Sequence, residues 1–147
     1  MKVVIQRSKN SSVSVSGKLI NKIEKGLCIL VGITPDDTDE DISYLVKKIV
    51  NLRIFDDENG IMNKSILESA GEILLISQFT LMADTSKGNR PSYIKAAKRD
   101  IAKPIYEKML KSLNDYVKTY GGVFGADMLV NIKNDGPITI IIDSKNK

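Results

Sequence analysis

Two short polar segments hold the residue types that could do chemistry in this chain. The first, Ser77-Gln78-Phe79-Thr80-Leu81, places two hydroxyls and an amide at the end of an apolar run. Small hydroxyls beside free backbone N–H groups can form a pocket that stabilises an oxyanion. Serine and threonine at a strand end also cap helices and form turns, so this segment alone leaves both interpretations open.

The second segment, Asn134-Asp135-Gly136-Pro137-Ile138-Thr139, places glycine directly before proline. Proline restricts the backbone of the residue before it, and the bond between the two can adopt the cis form. The simpler interpretation is a tight turn between two strands. The functional interpretation is that two carbonyl groups are held rigidly for recognition.

The chain has 147 residues, no histidine and one cysteine. It therefore lacks the usual general base, the usual zinc ligand and any disulfide within the chain. Cys28 lies in the apolar run Leu27–Val31 and is predicted to be a buried strand residue without a cation to activate its thiol. We expect neither a metal nor a cofactor.

Two charged segments have structural and functional interpretations. The acidic run Asp36–Asp41 could be taken for a metal site, but it lacks the glycine and distal glutamate of a calcium loop. We expect it to be the solvated start of a helix. The polar loop Thr85–Ser92 contains two cations, Lys87 and Arg90, which could meet phosphates of an RNA end or simply face solvent.

Strands dominate the elements that must position these segments. Gly17-Lys18 is a plausible hairpin turn between two of the four strands predicted in the first third of the chain, which favours a sheet-dominated fold. The predicted strands are Val3–Arg7, Ser12–Ser16, Leu19–Ile23, Leu27–Val31, Glu72–Phe79, Met128–Lys133 and Pro137–Asp143. Residues Asp56–Gly60 are predicted to form a polar turn.

Two amphipathic helices are predicted to pack on the sheet. The first follows Asp36, because Ile42, Leu45, Val46, Ile49 and Val50 recur at helical spacing. Thr38 and Asp41 resemble a capping box at its start. The second runs from about Ile101 to Tyr120 and is ended by Gly121-Gly122, with Pro104 tolerated only within its first three residues or so.

The bulk properties set the frame for these elements. The length and apolar content fit a single domain over residues 1–147. The formal charge of +4 permits a polyanionic partner without requiring one. No run approaches the roughly 20 apolar residues of a membrane span or forms a signal peptide, so we expect a soluble, cytoplasmic protein.

The two polar segments together resemble the signature motifs of the D-aminoacyl-tRNA deacylases, also called D-tyrosyl-tRNA deacylases. The resemblance covers nearly the whole chain in the expected order. Further matching segments are Gln6-Arg7, Arg53–Phe55, Met62-Asn63, Arg90–Tyr93 and Phe124–Met128. Small departures, such as Ile138 where valine is familiar and Pro104 early in the second helix, are apolar and local.

This resemblance implies an α+β fold, in which a β-barrel-like sheet has two main helices packed outside. It implies a homodimer with active sites at the interface, and hydrolysis of the ester of D-aminoacyl-tRNA as chiral proofreading in translation. The expected partners are the aminoacyl 3′ end of tRNA and a second copy of the chain, with no DNA and no membrane.

The resemblance also implies roles for individual residues. Ser77, Gln78 and Thr80 are the expected catalytic residues. The expected substrate-binding residues are Phe79, Arg7, Met128, Gly136 and Pro137. Gly136 and Pro137, joined by a cis peptide, would enter the site from the partner subunit, and Arg7 would hold them in orientation. Their carbonyls would take the α-amino group of a D-residue, while the side chain of an L-residue would collide with backbone.

Several alternatives stay open at this point. Thr80 could be a nucleophile, but the preferred mechanism has the ribose 2′-hydroxyl activate water while N–H groups near Phe79 and Thr80 stabilise the oxyanion. Rejection by collision leaves glycyl-tRNA poorly excluded. A related group prefers mischarged L-alanyl-tRNA, and a non-enzymatic protein that binds an RNA end is a further candidate, although the few aromatics here form no stacking cluster.

Overall fold

The chain folds into one main sheet, a small hairpin and three helices, in a mixed α+β arrangement. The computed structural model describes all residues from 1 to 147. The strands are β1 (Lys2–Val15), β2 (Lys18–Gly32), β3 (Phe55–Asp56), β4 (Met62–Lys64), β5 (Glu72–Ser77), β6 (Thr119–Gly121), β7 (Leu129–Asn131) and β8 (Asn134–Asp143). The helices are α1 (Asp39–Asn51), α2 (Ile66–Ser69) and α3 (Arg99–Asn114), and a 3-10 turn spans Phe79–Met82.

The four strands predicted at the start of the chain are wrong in number, because they form two long antiparallel strands, β1 and β2. Polar residues and glycine between the apolar runs suggested breaks, but the ladder continues through them. The hairpin turn is Ser16-Gly17 rather than Gly17-Lys18. Both turn residues have positive φ, 49° and 76°, which suits the right-handed twist of the flanking strands.

The main sheet has the order β6-β5-β2-β1-β7, with β8 also paired to β1. Its two faces bury different clusters. Ile5, Ile29 and Leu75 face the helices in the larger cluster, whereas Val13, Cys28 and Leu74 belong to a second cluster on the other face. Cys28 is buried as predicted, and burial raises the pKa of its thiol to about 12. Both faces of the sheet are therefore apolar and buried at its centre.

Helix α1 begins as the sequence predicts. Thr38 is its N-cap, the capping box with Asp41 is present, and the predicted apolar stripe is buried. The acidic run around it is only partly solvated, so that expectation is wrong for two residues. Asp37 and Asp41 are buried, because Asp37 pairs with the Met1 ammonium and Asp41 accepts hydrogen bonds from Ser144 and Lys145.

Helix α3 starts and ends earlier than predicted. It begins at Arg99, five residues before Pro104, and Pro104 is on the exposed side. It ends at Asn114, whose side chain bonds both the N–H and the carbonyl of Thr119 and orders the turn that follows. Gly121 therefore lies in strand β6 and does not terminate a helix. Leu113 and Val117 are separated by the spacing typical of a helix, and for this reason the sequence pattern wrongly predicted a further helical turn.

The remaining boundaries differ by a few residues. Strand β5 ends at Ser77, β7 is shorter than predicted, and β8 starts at Asn134. The predicted turn at Asp56–Gly60 lies in the β3–β4 hairpin. None of the helices has the length and apolar character that a membrane span requires.

Candidate active site

The end of β5 delivers the first polar segment to the edge of the sheet. The Gln78 N–H still donates to the Val31 carbonyl of β2 at 2.7 Å, and the chain then turns sharply into the 3-10 turn. Gly32 makes room for that turn, because a side chain there would come within 2.8 Å of Met82 and 2.9 Å of Leu81. The segment is therefore packed directly on the end of β2.

A cavity of about 490 Å³ opens beside this segment. Its walls come from the ends of β2 and β5, the start of α3 and the stretch before β7. Most of its lining is apolar, with Ser77 and Gln78 as polar groups and Arg99 and Asp127 as charged ones. The lining residues are Val31, Ile33, Ile76, Ser77, Gln78, Phe79, Ala97, Arg99, Ala102, Phe124, Gly125, Ala126, Asp127, Met128 and Val130.

The polar groups of the 3-10 turn are arranged around Thr80. The Gln78 side-chain amide donates to the Thr80 hydroxyl at 2.5 Å. The first hydrogen bond of the turn runs from the Leu81 N–H to the Gln78 carbonyl. The N–H groups of Phe79 and Thr80 precede it and have no partner within the turn. Unpaired N–H groups at the start of such a turn are of the kind that can donate to a negatively charged oxygen.

Two aromatic residues, Phe79 and Phe124, line the cavity, and each packs against a tyrosine. Phe79 is 57% exposed and stands edge-on to Tyr93, with ring centroids 5.1 Å apart. Tyr106 lies below Phe124 and donates its hydroxyl to the Leu75 carbonyl. Burial raises the pKa of Tyr106 to about 12, so this hydroxyl stays protonated and serves to tie α3 to β5.

The second polar segment forms a bulge on β8. The register with β1 jumps from Gln6 opposite Thr139 to Ser8 opposite Asn134, which leaves residues 135–138 without partners in β1. We call residues 135–138 the Gly-Pro bulge. The peptide bond between Gly136 and Pro137 is cis, and both residues are exposed. Asn134 accepts the N–H of Ile138 and thereby closes the base of the bulge.

Arg7 lies opposite the Gly-Pro bulge and is largely buried. Its Nε donates to the Asp135 carbonyl at 3.3 Å and pairs with the Asp135 carboxylate at the same distance. Its Nη1 donates to the Ile54 carbonyl at 2.9 Å and to Asp56 at 3.1 Å. A single guanidinium therefore connects the bulge to the segment that precedes the β3–β4 hairpin.

The cavity brings together four of the residues selected from the sequence: Ser77, Gln78, Phe79 and Met128. Thr80 lies one residue outside its lining. Arg7, Gly136 and Pro137 are elsewhere on the same chain, since strands β2 and β1 stand between β5 and β8. Sequence reasoning missed Arg99, for which no motif gave a signal, whereas Phe124 and Asp127 lie in a segment that the resemblance had already marked.

The polar loop at Thr85–Ser92 is exposed, and backbone bonds between Asp84 and Ser92 close it. Hydrogen bonds from Ser86, with the nearby Lys95 ammonium, hold the pKa of the Asp84 carboxyl well below its usual range. Lys87 and Arg90 take part in no ion pair. The loop is thus pinned at its base and carries two free cations.

Comparison with known proteins identifies the family of this chain. Residues 4–143 match the family model described as D-Tyr-tRNA(Tyr) deacylase. The chain belongs to the D-aminoacyl-tRNA deacylase family. A D-aminoacyl-tRNA deacylase of Bacteroides fragilis strain YCH46 is 62% identical, and one of Flavobacterium psychrophilum is 56% identical. Both alignments cover 100% of this chain and 99% of the relative.

Solved structures agree with this membership. A structure titled c-Myc DNA Unwinding Element Binding Protein is 41% identical, with a TM-score of 0.89 over 97% of this chain and 98% of that one. A probable eukaryotic D-amino acid tRNA deacylase is 17% identical, with a TM-score of 0.80 over 96% and 97%, and shares the fold. As a member of the deacylase family, the chain is a hydrolase that acts on aminoacyl-tRNA esters.

Proposed function

We propose that the cavity at the end of β5 takes the aminoacylated terminal adenosine of D-aminoacyl-tRNA. The observation that carries this proposal is the cavity itself, which has mostly apolar walls and the Ser-Gln-Phe-Thr motif at its edge. Apolar walls with a few fixed polar groups suit a nucleoside, whose base is flat and whose ribose and ester are polar. Hydrolysis there releases the free D-amino acid and tRNA, as chiral proofreading in translation requires.

The catalytic step proposed for this site uses substrate and backbone groups. The ribose 2′-hydroxyl helps to activate the attacking water, and the N–H groups of Phe79 and Thr80 stabilise the oxyanion. Two observations support this choice. The Thr80 hydroxyl accepts a hydrogen bond from Gln78, and the chain has no histidine to activate it as a nucleophile.

The site is proposed to be completed by a second copy of the chain, with the Gly-Pro bulge of one subunit facing the cavity of the other. The bulge is exposed and lies outside its own chain's cavity, with β1 and β2 between them. Its exposed backbone carbonyls are free to meet another molecule. The barrel-like shape expected for the fold is proposed together with this dimer.

Chirality is proposed to be selected at the Gly-Pro bulge. The carbonyls of Gly136 and Pro137 accept hydrogen bonds from the α-amino group of a D-residue. The side chain of an L-residue would be directed into backbone, so it is rejected by collision. Glycine has no side chain to collide, and glycyl-tRNA is therefore expected to be hydrolysed as well.

Arg7 is proposed to hold the bulge in the orientation that this selection needs. Its contacts with Asp135 support the role, since they fix the residue directly before Gly136. The guanidinium is anchored on its other side by Ile54 and Asp56. A guanidinium that is hydrogen-bonded on two sides has little freedom to rotate, and this restricts the movement of the bulge to which it is bonded.

The proposed partner is the 3′ end of tRNA in the cytoplasm, where aminoacyl-tRNA is made, and DNA is not expected to compete for the site. The solved structure that is 41% identical is named as a DNA unwinding element binding protein, which gives a reason to test DNA binding. Gel-shift titration with duplex DNA should show binding at least about a hundredfold weaker than binding of D-tyrosyl-tRNA. Equal binding of both would mean that the basic surface does not distinguish them.

The decisive experiment follows the loss of ester from D-tyrosyl-tRNA and L-tyrosyl-tRNA in parallel, at catalytic enzyme concentration and with a chelator present. Rapid hydrolysis of the D-ester alone is the expected result. Hydrolysis of both esters would refute selection by the Gly-Pro bulge. Protection of D-tyrosyl-tRNA without turnover would favour the alternative of a protein that only binds an RNA end.

A further inference from the structure

Arg99 is the only cation among the residues that line the cavity. The other charged lining residue is Asp127, and neither takes part in any ion pair of the chain. Arg7, by contrast, pairs with two carboxylates. A guanidinium that lines a cavity without a partner in its own chain has its donors free for a ligand.

The backbone at Gly125 sets the position of this guanidinium. Arg99 Nη1 is 3.0 Å from the point that a Cβ on Gly125 would occupy, so a side chain there would displace it. Gly125 also has a φ of 78°, in the left-handed region that favours glycine. Arg99 is the first residue of α3 and lines the cavity, and its guanidinium lies beside Gly125.

The chemistry of the substrate identifies what a cation can recognise there. The adenine, the ribose and the ester of an aminoacyl-adenosine carry no negative charge. The first anionic group of the tRNA is the phosphodiester on the 5′ side of the terminal adenosine. Guanidinium binds phosphate oxygens through two parallel N–H bonds, which gives both affinity and orientation.

We propose that Arg99 binds the phosphodiester that joins the terminal adenosine of tRNA to the preceding nucleotide. This inference rests on the proposed function, because it requires the terminal adenosine in the cavity. Asp127 lines the same cavity and would repel a phosphate, so the phosphate lies on the side of α3. Arg99 thereby adds affinity for the tRNA backbone next to the adenosine and makes no contact with the ester.

A purely structural role for Arg99 is the competing explanation. The guanidinium could serve only to cover the backbone of Gly125 and support the loop before β7. Its removal would then weaken every ligand of the cavity equally, with or without a phosphate. The two explanations therefore differ in whether the effect of the substitution depends on the phosphate.

The experiment measures dissociation constants by calorimetry for a non-hydrolysable probe, 3′-(D-tyrosylamino)-3′-deoxyadenosine, and for the same molecule carrying a 5′-phosphate. Wild-type protein is expected to bind the phosphorylated probe about tenfold more tightly. Arg99→Gln should abolish that preference and leave binding of the unphosphorylated probe unchanged. Arg99→Lys keeps the charge but loses the paired donors, so it should bind the phosphorylated probe about threefold more tightly than the unphosphorylated one.

Lys103→Gln is the matched control. It removes the same charge from the same helix at an exposed residue, which pairs only with Glu107. Its preference for the phosphorylated probe should equal that of wild type. Thermal unfolding of all three variants reports whether the substitutions alter the fold.

Each other outcome overturns the inference in a recognisable way. A wild-type protein that binds both probes equally contains the site but makes no phosphate contact. An Arg99→Gln protein that loses affinity for both probes equally uses Arg99 to shape the cavity. A wild-type protein that binds neither probe has no adenosine site here, and the proposed function fails together with the inference.

A kinetic arm extends the test to the whole substrate. Arg99→Gln is expected to raise KM for D-tyrosyl-tRNA by about tenfold and to leave kcat within about twofold. The slope of log KM against log salt concentration should also decrease by the amount that corresponds to roughly one phosphate contact, because each contact releases counterions. A fall in kcat with unchanged KM would contradict a role in binding the phosphodiester.

Discussion

The end of β5 and the Gly-Pro bulge carry the two signature motifs, yet they are built in opposite ways. The end of β5 is packed: Ser77 and Gln78 line a cavity, and the turn after them fits against Gly32 only because that residue has no side chain. The bulge is exposed and lies outside the sheet ladder, and Arg7 and Asn134 each form a hydrogen bond with one of its residues.

This difference indicates a division of labour. A packed turn beside a cavity suits the reacting ester, because N–H donors must be in place before charge develops. An exposed bulge with free carbonyls suits a surface that must approach from outside and test the shape of what it meets. The proposed function assigns catalysis to the first region and discrimination to the second, and it needs two subunits to bring them together.

The catalytic half of this comparison is tested most severely by changing the substrate. D-tyrosyl-tRNA ending in 2′-deoxyadenosine is expected to react at least about a hundredfold more slowly, because it lacks the group proposed to activate water. Single-turnover rates measure this directly, and equilibrium binding of the deoxy substrate controls for affinity. An unchanged rate would show that the enzyme itself provides the base.

Mixing subunits tests whether the two regions act across an interface. Ala126→Trp fills the cavity, and Gly136→Val would place a side chain against Ile138 within the bulge, so each variant alone should be inactive. A refolded equal mixture should recover about a quarter of wild-type activity, because half of its dimers hold one intact site out of two. A mixture of two different cavity variants provides the control, and no recovery in either mixture would refute the shared site.

Arg7→Ala separates discrimination from catalysis. The ratio of D-tyrosyl to L-tyrosyl hydrolysis should fall by about tenfold or more, because the bulge loses the guanidinium that orients it. Arg53→Ala is the matched control, since that exposed arginine bonds only Asn63. Full activity with full rejection of the L-ester in the Arg7→Ala protein would remove Arg7 from the selection mechanism.

The far end of β8 provides a test of stability. Burial works to raise the pKa of Asp41, but hydrogen bonds from Ser144, Lys145 and Thr38 outweigh it and leave the pKa below its ordinary value. A lowered pKa in the folded state stabilises the protein above the unfolded pKa of about 3.9, and that stability is lost as the pH falls further.

Asp41→Asn should therefore lower the free energy of unfolding at pH 7 by about 2 kcal/mol and flatten its decline below about pH 4. Urea titrations from pH 7 to pH 3 measure both effects. The ratio of D- to L-hydrolysis should stay at its wild-type value, because Arg7 and the bulge lie at the other end of β8. A parallel acid decline in both proteins would mean that Asp41 contributes no linkage.

The smallest expected effect is that of Thr80→Ala, which should keep kcat within about threefold of wild type. The reason is that the Thr80 N–H, which the substitution preserves, is the proposed catalytic group, while the hydroxyl only accepts from Gln78. Pre-steady-state rates with D-tyrosyl-tRNA measure it. Complete loss of turnover with normal binding would instead make the hydroxyl a nucleophile.

Local signals in the sequence predicted those parts of the fold that local physics determines. Helix α1 was confirmed because both its apolar spacing and its cap at Thr38 are written within one segment. The end of α3 was wrong because Asn114 stops the helix by bonding Thr119, a choice invisible to periodicity. The long strands β1 and β2 were divided because polar residues within them interrupted the apolar pattern.

The candidate site was predictable to a similar extent. Motif resemblance selected Ser77, Gln78 and Met128, which the fold brings to one cavity. It gave no indication of Arg99, because one arginine at the start of a helix carries no pattern. Its proximity to Gly125 arises from tertiary packing between α3 and the loop before β7. The roles of all these residues stay predictions until the variants are measured.

The pairing of β8 with β1 has a consequence for synthesis of the chain. Asp143 lies opposite Lys2, so the outer edge of the first half of β1 stays unpaired until residues more than a hundred positions further along the chain have been synthesised. While the ribosome is still translating, that half of β1 presents an unpaired edge that could join another nascent chain. The sheet is therefore completed only after release of residues 134–143, and factors that shield strand edges during translation should raise the yield of folded protein.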